Sequence, residues 1–167
     1  MIKYIPQLTS VVIEEIPDML TLAVEISNCK GRCEGCHSPV LREDIGEELS
    51  PAAVDRMFED NFGVNCFLLL GEGNDPDSLL RIADYVRSAH GVKVALYSGR
   101  EDVEDAVWRA FDYVKVGPYI PEKGPLNSPT TNQRLYKVEH RDGQWSKTDI
   151  TSRLQHRGLD PILNEAM

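Results

Sequence analysis

The chain has no long apolar run. No stretch reaches the roughly 20 apolar residues that a membrane-spanning helix needs, and the first residues lack a basic region followed by an apolar core. Membrane insertion and secretion are therefore not expected. Positive charge is also scarce: 18 Lys and Arg stand against 27 Asp and Glu, for a formal charge of −9. A broad nucleic-acid or anionic-membrane surface would need a basic stripe instead, so neither partner is expected. There are only four cysteines, and no second Cys pair of the kind that completes a structural zinc site built from two knuckles. Low-complexity segments, inter-domain linkers and repeats beyond a strand-helix unit are absent too. One domain over residues 1–167 is expected, large enough for a sizeable core but short for a complete eight-stranded barrel. The chain is expected to be cytoplasmic, and thiols clustered in such a reducing compartment favour metal or redox chemistry over disulfides.

What the chain does have is concentrated between residues 27 and 37. Ser27-Asn28-Cys29-Lys30-Gly31-Arg32-Cys33-Glu34-Gly35-Cys36-His37 places three thiols within eight residues, beside two glycines and two basic side chains. The glycines permit close backbone approach, and Lys30 and Arg32 favour thiolates. His37 directly follows Cys36, an awkward geometry for two ligands of one ion. Three thiolates without an evident fourth suit an iron–sulfur cluster with one iron left open to a substrate or cofactor.

The remainder reads as strand, turn and helix in alternation. Leu22, Val24 and Ile26 alternate with Ala23, Glu25 and Ser27, a period-two strand that leads into the cysteine run. A low-level strand or hairpin arm is expected near Val11 to Ile13, and Pro39 to Glu48 reads as irregular. Ser50-Pro51 opens a helix with Val54, Met57, Phe58 and Phe62 on its inner face. Cys66 to Leu70 is the continuous apolar run of a buried parallel strand. Asp75-Pro76 opens a second helix that stops before Gly91. A strand from Val92 to Tyr97 follows, then a helix over 102–110 with Val103, Ala106, Val107 and Ala110 inward, then a strand from Tyr113 to Val116. Residues 117–133, rich in proline, predict an ordered loop. Arg134 to His140 and Gln144 to Ile150 flank Asp142-Gly143 as a hairpin, before a short helix and a loose tail. The fold class is α/β: a partial (β/α) barrel or an open, mostly parallel sheet with helices. Its core covers about residues 20–135, and the C-terminal hairpin and tail cover 134–167.

Two further strand ends carry candidate site residues. Gly71-Glu72-Gly73 follows the most buried strand and precedes a helix N-terminus, where backbone groups approach a ligand closely. Tyr97-Ser98-Gly99-Arg100 ends the next strand. Both also read as ordinary tight turns.

The spacing Cys29-x-x-x-Cys33-x-x-Cys36 resembles the signature of the radical S-adenosyl-L-methionine (radical SAM) superfamily. With His37 and the short chain it is similar to the activating proteins of anaerobic ribonucleoside-triphosphate reductases. The resemblance implies a 4Fe-4S cluster on Cys29, Cys33 and Cys36, with SAM on the fourth iron. It implies reductive cleavage of SAM and generation of a glycyl radical on a separate reductase subunit, with a small electron donor such as flavodoxin or ferredoxin. Gly71, Glu72 and Gly73 resemble the turn that binds the methionine amino group, in the altered order Gly-Glu-Gly, so backbone atoms are expected to act before the Glu72 carboxylate. Gly35 stands where the superfamily carries a bulky residue against adenine, so its backbone or the His37 ring serves the adenine, or His37 packs the loop. Ser98 is placed near the ribose or carboxylate of SAM. Lys115 stands in a strand where the family has an acidic residue; pointing inward it neutralises a carboxylate, and pointing outward it is solvated. Asn127 to Arg134 resembles a serine-rich turn ending in Asn-Gln-Arg. Two alternatives stay open: the same chemistry on a small molecule, and a non-enzymatic iron–sulfur or zinc module.

Overall fold

A computed structural model describes residues 1–29 and 39–155. The chain begins with β1 (Lys3–Tyr4) and β2 (Ser10–Val12), then turns through Asp18 into β3 (Thr21–Glu25). Past the cysteine run, a 3-10 turn (Pro39–Arg42) and β4 (Glu47–Glu48) occupy the stretch expected to be irregular, because β4 finds a partner far away in sequence, β1. Helix α1 (Pro51–Asp60) starts as expected, with the Ala53 N–H donating to Ser50 Oγ at 3.1 Å. Strand β5 (Cys66–Leu70) and helix α2 (Pro76–His90) follow. Asp75 caps α2 and also receives the N-terminal ammonium of Met1 at 2.5 Å, and Gly91 closes it in the left-handed region. Then come β6 (Lys93–Tyr97), α3 (Asp105–Ala110), β7 (Tyr113–Val116), β8 (Arg134–Arg141), β9 (Gln144–Asp149) and α4 (Ser152–Gln155). Asp142 and Gly143 both have positive φ, the turn that a two-residue hairpin needs.

Seven strands form one mixed sheet in the order β2-β3-β5-β6-β7-β8-β9. The four inner strands β3, β5, β6 and β7 are parallel, and β2, β8 and β9 pair antiparallel. Expectation and structure agree on a mixed α/β chain with a parallel centre and a C-terminal strand pair. That pair extends the main sheet rather than standing apart.

Because β3, β5, β6 and β7 advance in one direction, right-handed crossovers put all three connecting helices on one face. The packing follows that rule. Leu22, Val24, Ile26, Phe67, Leu69, Val94, Leu96, Val114 and Val116 face α1, α2 and α3 in the larger core, against Val54, Met57, Leu79, Ile82, Val86 and Trp108. The opposite face carries Ala23, Cys66, Leu68, Ala95 and Tyr113, and is covered by Ile16 from the N-terminal turn and by Leu154 from α4.

Two inner-face assignments are corrected. Phe62 is 99% exposed, because α1 ends at Asp60 and Asn61 leaves helical geometry while its Nδ2 donates to the Met57 carbonyl at 2.8 Å. The 3.6-residue period stops two residues short of it. In α3, Ala106 is exposed and Trp108 is buried in its place. The shorter helix begins at Asp105, and the indole Nε1 donates to the Val103 carbonyl at 3.2 Å.

Candidate functional site

Parallel strands bring their carboxyl ends to one edge, and that edge collects the residues singled out in the sequence. Cys29 lies just beyond β3, partly exposed. The chain there is tightly anchored. Asn28 adopts a φ of 59°, a region Asn tolerates better than most residues. Its N–H donates to the Glu43 carbonyl at 3.1 Å, and the Cys29 N–H donates to Leu41 at 2.7 Å. Asp44 Oδ1 accepts from Lys3 Nζ at 2.8 Å and from Asn28 Nδ2 at 3.1 Å, and these contacts, Lys3 first, hold its carboxyl below the usual range. Ser27 Oγ donates to the Ile45 carbonyl at 2.7 Å. Both flanks of the cysteine run are thus tied to each other at the end of β3. Cys33, Gly35, Cys36 and His37 lie outside the described residues. Among the described residues no three His, Cys, Asp or Glu side chains converge as a metal site.

The next strand end is the Gly71-Glu72-Gly73 turn. Gly71 and Gly73 both have positive φ, and a Cβ at Gly73 would stand 3.1 Å from Ile2 Cγ2 and 3.2 Å from Ile26 Cγ2. A side chain there would press on β3 just before the cysteine run, so glycine is required by both conformation and space. Glu72 is held by the end of β6. Ser98 Oγ donates to Glu72 Oε2 at 2.6 Å, and Arg100 Nε donates to the same oxygen at 3.0 Å. The guanidinium also reaches Glu104 at 2.6 and 2.9 Å. Glu104, hydrogen-bonded first by Arg100 and then by its own backbone, is held down to about 2. Ser98 is fully buried, and its hydroxyl serves the Glu72 carboxylate. That carboxylate is already engaged, while the backbone of the turn stays at the edge.

A third group lies on the sheet face that α1 to α3 do not cover. Strand register aligns Glu25, Leu70, Tyr97 and Lys115 in one row at the carboxyl end. Lys115 points inward. It is 8% exposed, and its Nζ donates to the Gly117 carbonyl at 3.1 Å and to Gln133 Oε1 at 2.9 Å, 5.7 Å from the centre of the Tyr97 ring. Tyr97 Oη donates to the Glu15 carbonyl. Burial raises the Glu25 carboxyl above its ordinary range. Glu15 Oε2 is buried with no hydrogen-bond partner among the described residues.

The structure therefore brings Cys29, Gly71 to Gly73 and Ser98 to one edge, and it settles the direction of Lys115. It adds Glu25, and it sets Arg100 and Gln133, from two stretches singled out in the sequence, against Glu72 and Lys115. For Glu25 and Lys115 a signal existed: each is a charged residue near the carboxyl end of an otherwise apolar strand. For the Glu72–Arg100 pair there was none, because the two residues lie 28 positions apart. Comparison of the chain with models of known families, with curated proteins and with solved structures found no match.

Proposed function

We propose that the protein is a radical SAM activase that generates a glycyl radical on an anaerobic ribonucleoside-triphosphate reductase. The observation that carries this reading is the Cys29-x-x-x-Cys33-x-x-Cys36 run leaving the carboxyl end of a parallel strand, beside the glycine-bearing turns of the next two strands. We read the four parallel strands with their helices as part of a partial (β/α) barrel whose helix-free face is its interior. In this reading Cys29, Cys33 and Cys36 hold a 4Fe-4S cluster. The donor set suits it: three thiols, with no fourth protein ligand assigned, leave one iron for SAM. When bound, the cluster supplies the electron that cleaves SAM to methionine and the 5′-deoxyadenosyl radical that takes a hydrogen atom from glycine.

The protein's own work is positioning and exclusion of competing chemistry. Backbone groups of Gly71 to Gly73 meet the amino group of SAM, since Glu72 is engaged by Ser98 and Arg100. Lys115, fixed by Gly117 and Gln133, supplies positive charge toward a carboxylate on the inner face. The backbone of Gly35 or the ring of His37 is proposed to serve the adenine. The small electron donor and the reductase subunit are proposed partners at the same edge.

The test is anaerobic reconstitution with iron and sulfide, followed by dithionite and SAM. Formation of 5′-deoxyadenosine is expected, and its absence refutes the radical SAM reading. A glycyl radical signal by electron paramagnetic resonance on an added anaerobic reductase is expected next. If 5′-deoxyadenosine forms without that signal, the same chemistry acts on a small molecule instead.

A further inference from the structure

The opposite edge of the sheet contains a hollow that the proposed activity does not use. It has a volume of about 860 Å³, within the range of small-molecule sites, and is walled by the end of α2, the start of β6 and the β8–β9 hairpin. Along β6, Lys93 at this edge is about 13 Å from Tyr97 at the other, at roughly 3.3 Å per residue. Binding here is therefore separate from events at the cysteine run.

Five basic side chains line the hollow: Arg87, Lys93, Arg109, Lys137 and His140. Only Asp112 and Glu139 oppose them, in a chain whose net charge is −9. Asp112 is already engaged through one oxygen. Its Oδ2 accepts from Arg87 at 3.1 Å and from the Val94 N–H at 2.9 Å, and its Oδ1 lies 3.8 Å from His140 Nδ1. Arg109 is shared with Asp105 at 2.6 Å and with the Gly143 carbonyl at 2.5 Å. The ammonium groups of Lys93 and Lys137 make no ion pair or hydrogen bond with the other described residues. The two lysines stand on β6 and β8, two strands apart and two residues out of register, so their backbones lie roughly 12 Å apart; both are exposed, share the sheet face away from α2 and α3, and line the hollow. Two lysines anchored that far apart suit an extended anion better than a single small one.

We propose that this hollow binds a phosphoanhydride chain, carried by a nucleoside polyphosphate or by free polyphosphate. Lys93 and Lys137 contact the phosphates from opposite sides, while Arg87 and Arg109, fixed by their own partners, define the walls. Lysine is a compact point charge and suits phosphate oxygens without demanding one planar geometry. Val92 and Val138 give the hollow an apolar flank beside the cations.

The test is calorimetric titration of the full chain, without reconstitution, with ATP, tripolyphosphate and inorganic phosphate; it is thus independent of any cluster chemistry. Saturable one-to-one binding of tripolyphosphate or ATP is expected, with inorganic phosphate weaker. Tighter ATP binding identifies a nucleotide as the natural ligand, and equal binding identifies the phosphate chain alone. Lys93→Gln and Lys137→Gln should each weaken binding about tenfold, the effect of one charge-assisted hydrogen bond, whereas Lys123→Gln on the far loop should not. Raising NaCl from about 50 to about 500 mM should weaken binding in the unaltered protein. Absence of saturable binding, indifference to salt, or undiminished binding in the Lys93→Gln and Lys137→Gln variants would overturn the proposal. Circular dichroism and melting temperature verify that the variants keep the fold, as expected for exposed lysines.

Discussion

The two faces of the central sheet are made from the same strands, yet they differ in what they bury. Toward α1, α2 and α3 the four parallel strands present only aliphatic and aromatic side chains, and Leu22, Val24, Phe67, Leu69, Val94, Leu96 and Val114 are fully buried there. Toward the other face they present Thr21, Ala23 and Glu25 from β3, Tyr97 from β6, and Tyr113 and Lys115 from β7. Three helices seal the first face. A turn at Ile16, the short α4 and the loop carrying Leu126 cover the second, and it keeps a buried ammonium, a carboxyl raised by burial and an unpartnered glutamate oxygen. Buried polar groups cost free energy unless they are paired, so a face that keeps several is under a demand other than stability. The difference separates a face that only packs from one that keeps polar groups at a packing cost.

The sharpest way to break the comparison is to cut into the apolar face. Phe67 is fully buried and stacks on Phe58 with ring centres 5.8 Å apart. Phe67→Ala should cost about 3–5 kcal/mol in urea unfolding, because it leaves a cavity where three layers meet. A loss below about 1 kcal/mol would mean that the helix-covered face is not the main source of stability.

Lys115→Met probes the polar face. It leaves the Gly117 carbonyl and Gln133 Oε1 without their donor, and should cost about 1–3 kcal/mol, less than Phe67→Ala. In the reconstituted protein it should lower the yield of 5′-deoxyadenosine about tenfold, beyond what the lost stability explains. Equal losses in stability and yield would reduce Lys115 to a structural role.

Glu25→Gln should act in the opposite direction, with a gain under about 1 kcal/mol at pH 7. Burial raises the carboxyl, so Glu25 favours folding below its unfolded pKa, and that contribution is lost as pH rises through the raised value. The advantage of Gln should therefore grow with pH through the mildly acidic range and vanish near pH 3, measured by melting curves across pH. A constant difference at every pH would show that Glu25 ionises as it does in the unfolded chain.

Phe62→Ser should have the smallest effect, within about 0.5 kcal/mol, although the helical period of α1 extrapolates Phe62 into the core. Chemical denaturation measures it. A large loss would restore Phe62 to the inner face.

Much of the fold was legible because local signals and tertiary context agree. Ser50-Pro51 and Asp75-Pro76 mark helix starts that the caps at Ala53 and Ser78 realise, and the apolar run from Cys66 to Leu70 became the buried strand β5. Local reading failed where the decisive partner was distant. Nothing near Glu47 and Glu48 announces a strand, since their pairing is with Lys3 and Tyr4. Trp108 displaced Ala106 from the core because α3 starts later than its first apolar residue suggests, and because Trp145 of β9 stacks on the indole while Tyr136 of β8 meets it edge-on. At the candidate site, strand ends and glycine turns could be placed from sequence, since parallel strands must deliver their carboxyl ends to one edge. The engagement of Glu72 by Arg100 and the pairing of Lys115 with Gln133 could not, because each joins segments whose sequence carries no mark of the other. Cys33 and Cys36 lie outside the described residues, so their part in the site rests on spacing.

The most direct measurement compares the four cysteines one at a time. Cys66 is fully buried, and its thiol is pushed up to about 12 by desolvation, so it is no candidate ligand. After anaerobic reconstitution, Cys66→Ser should keep its iron and form 5′-deoxyadenosine from SAM and dithionite. Cys29→Ser, Cys33→Ser and Cys36→Ser should each lose that product, with melting temperatures close to the unaltered protein. Unchanged 5′-deoxyadenosine formation in any one of those three, or none in the unaltered protein, would contradict the account.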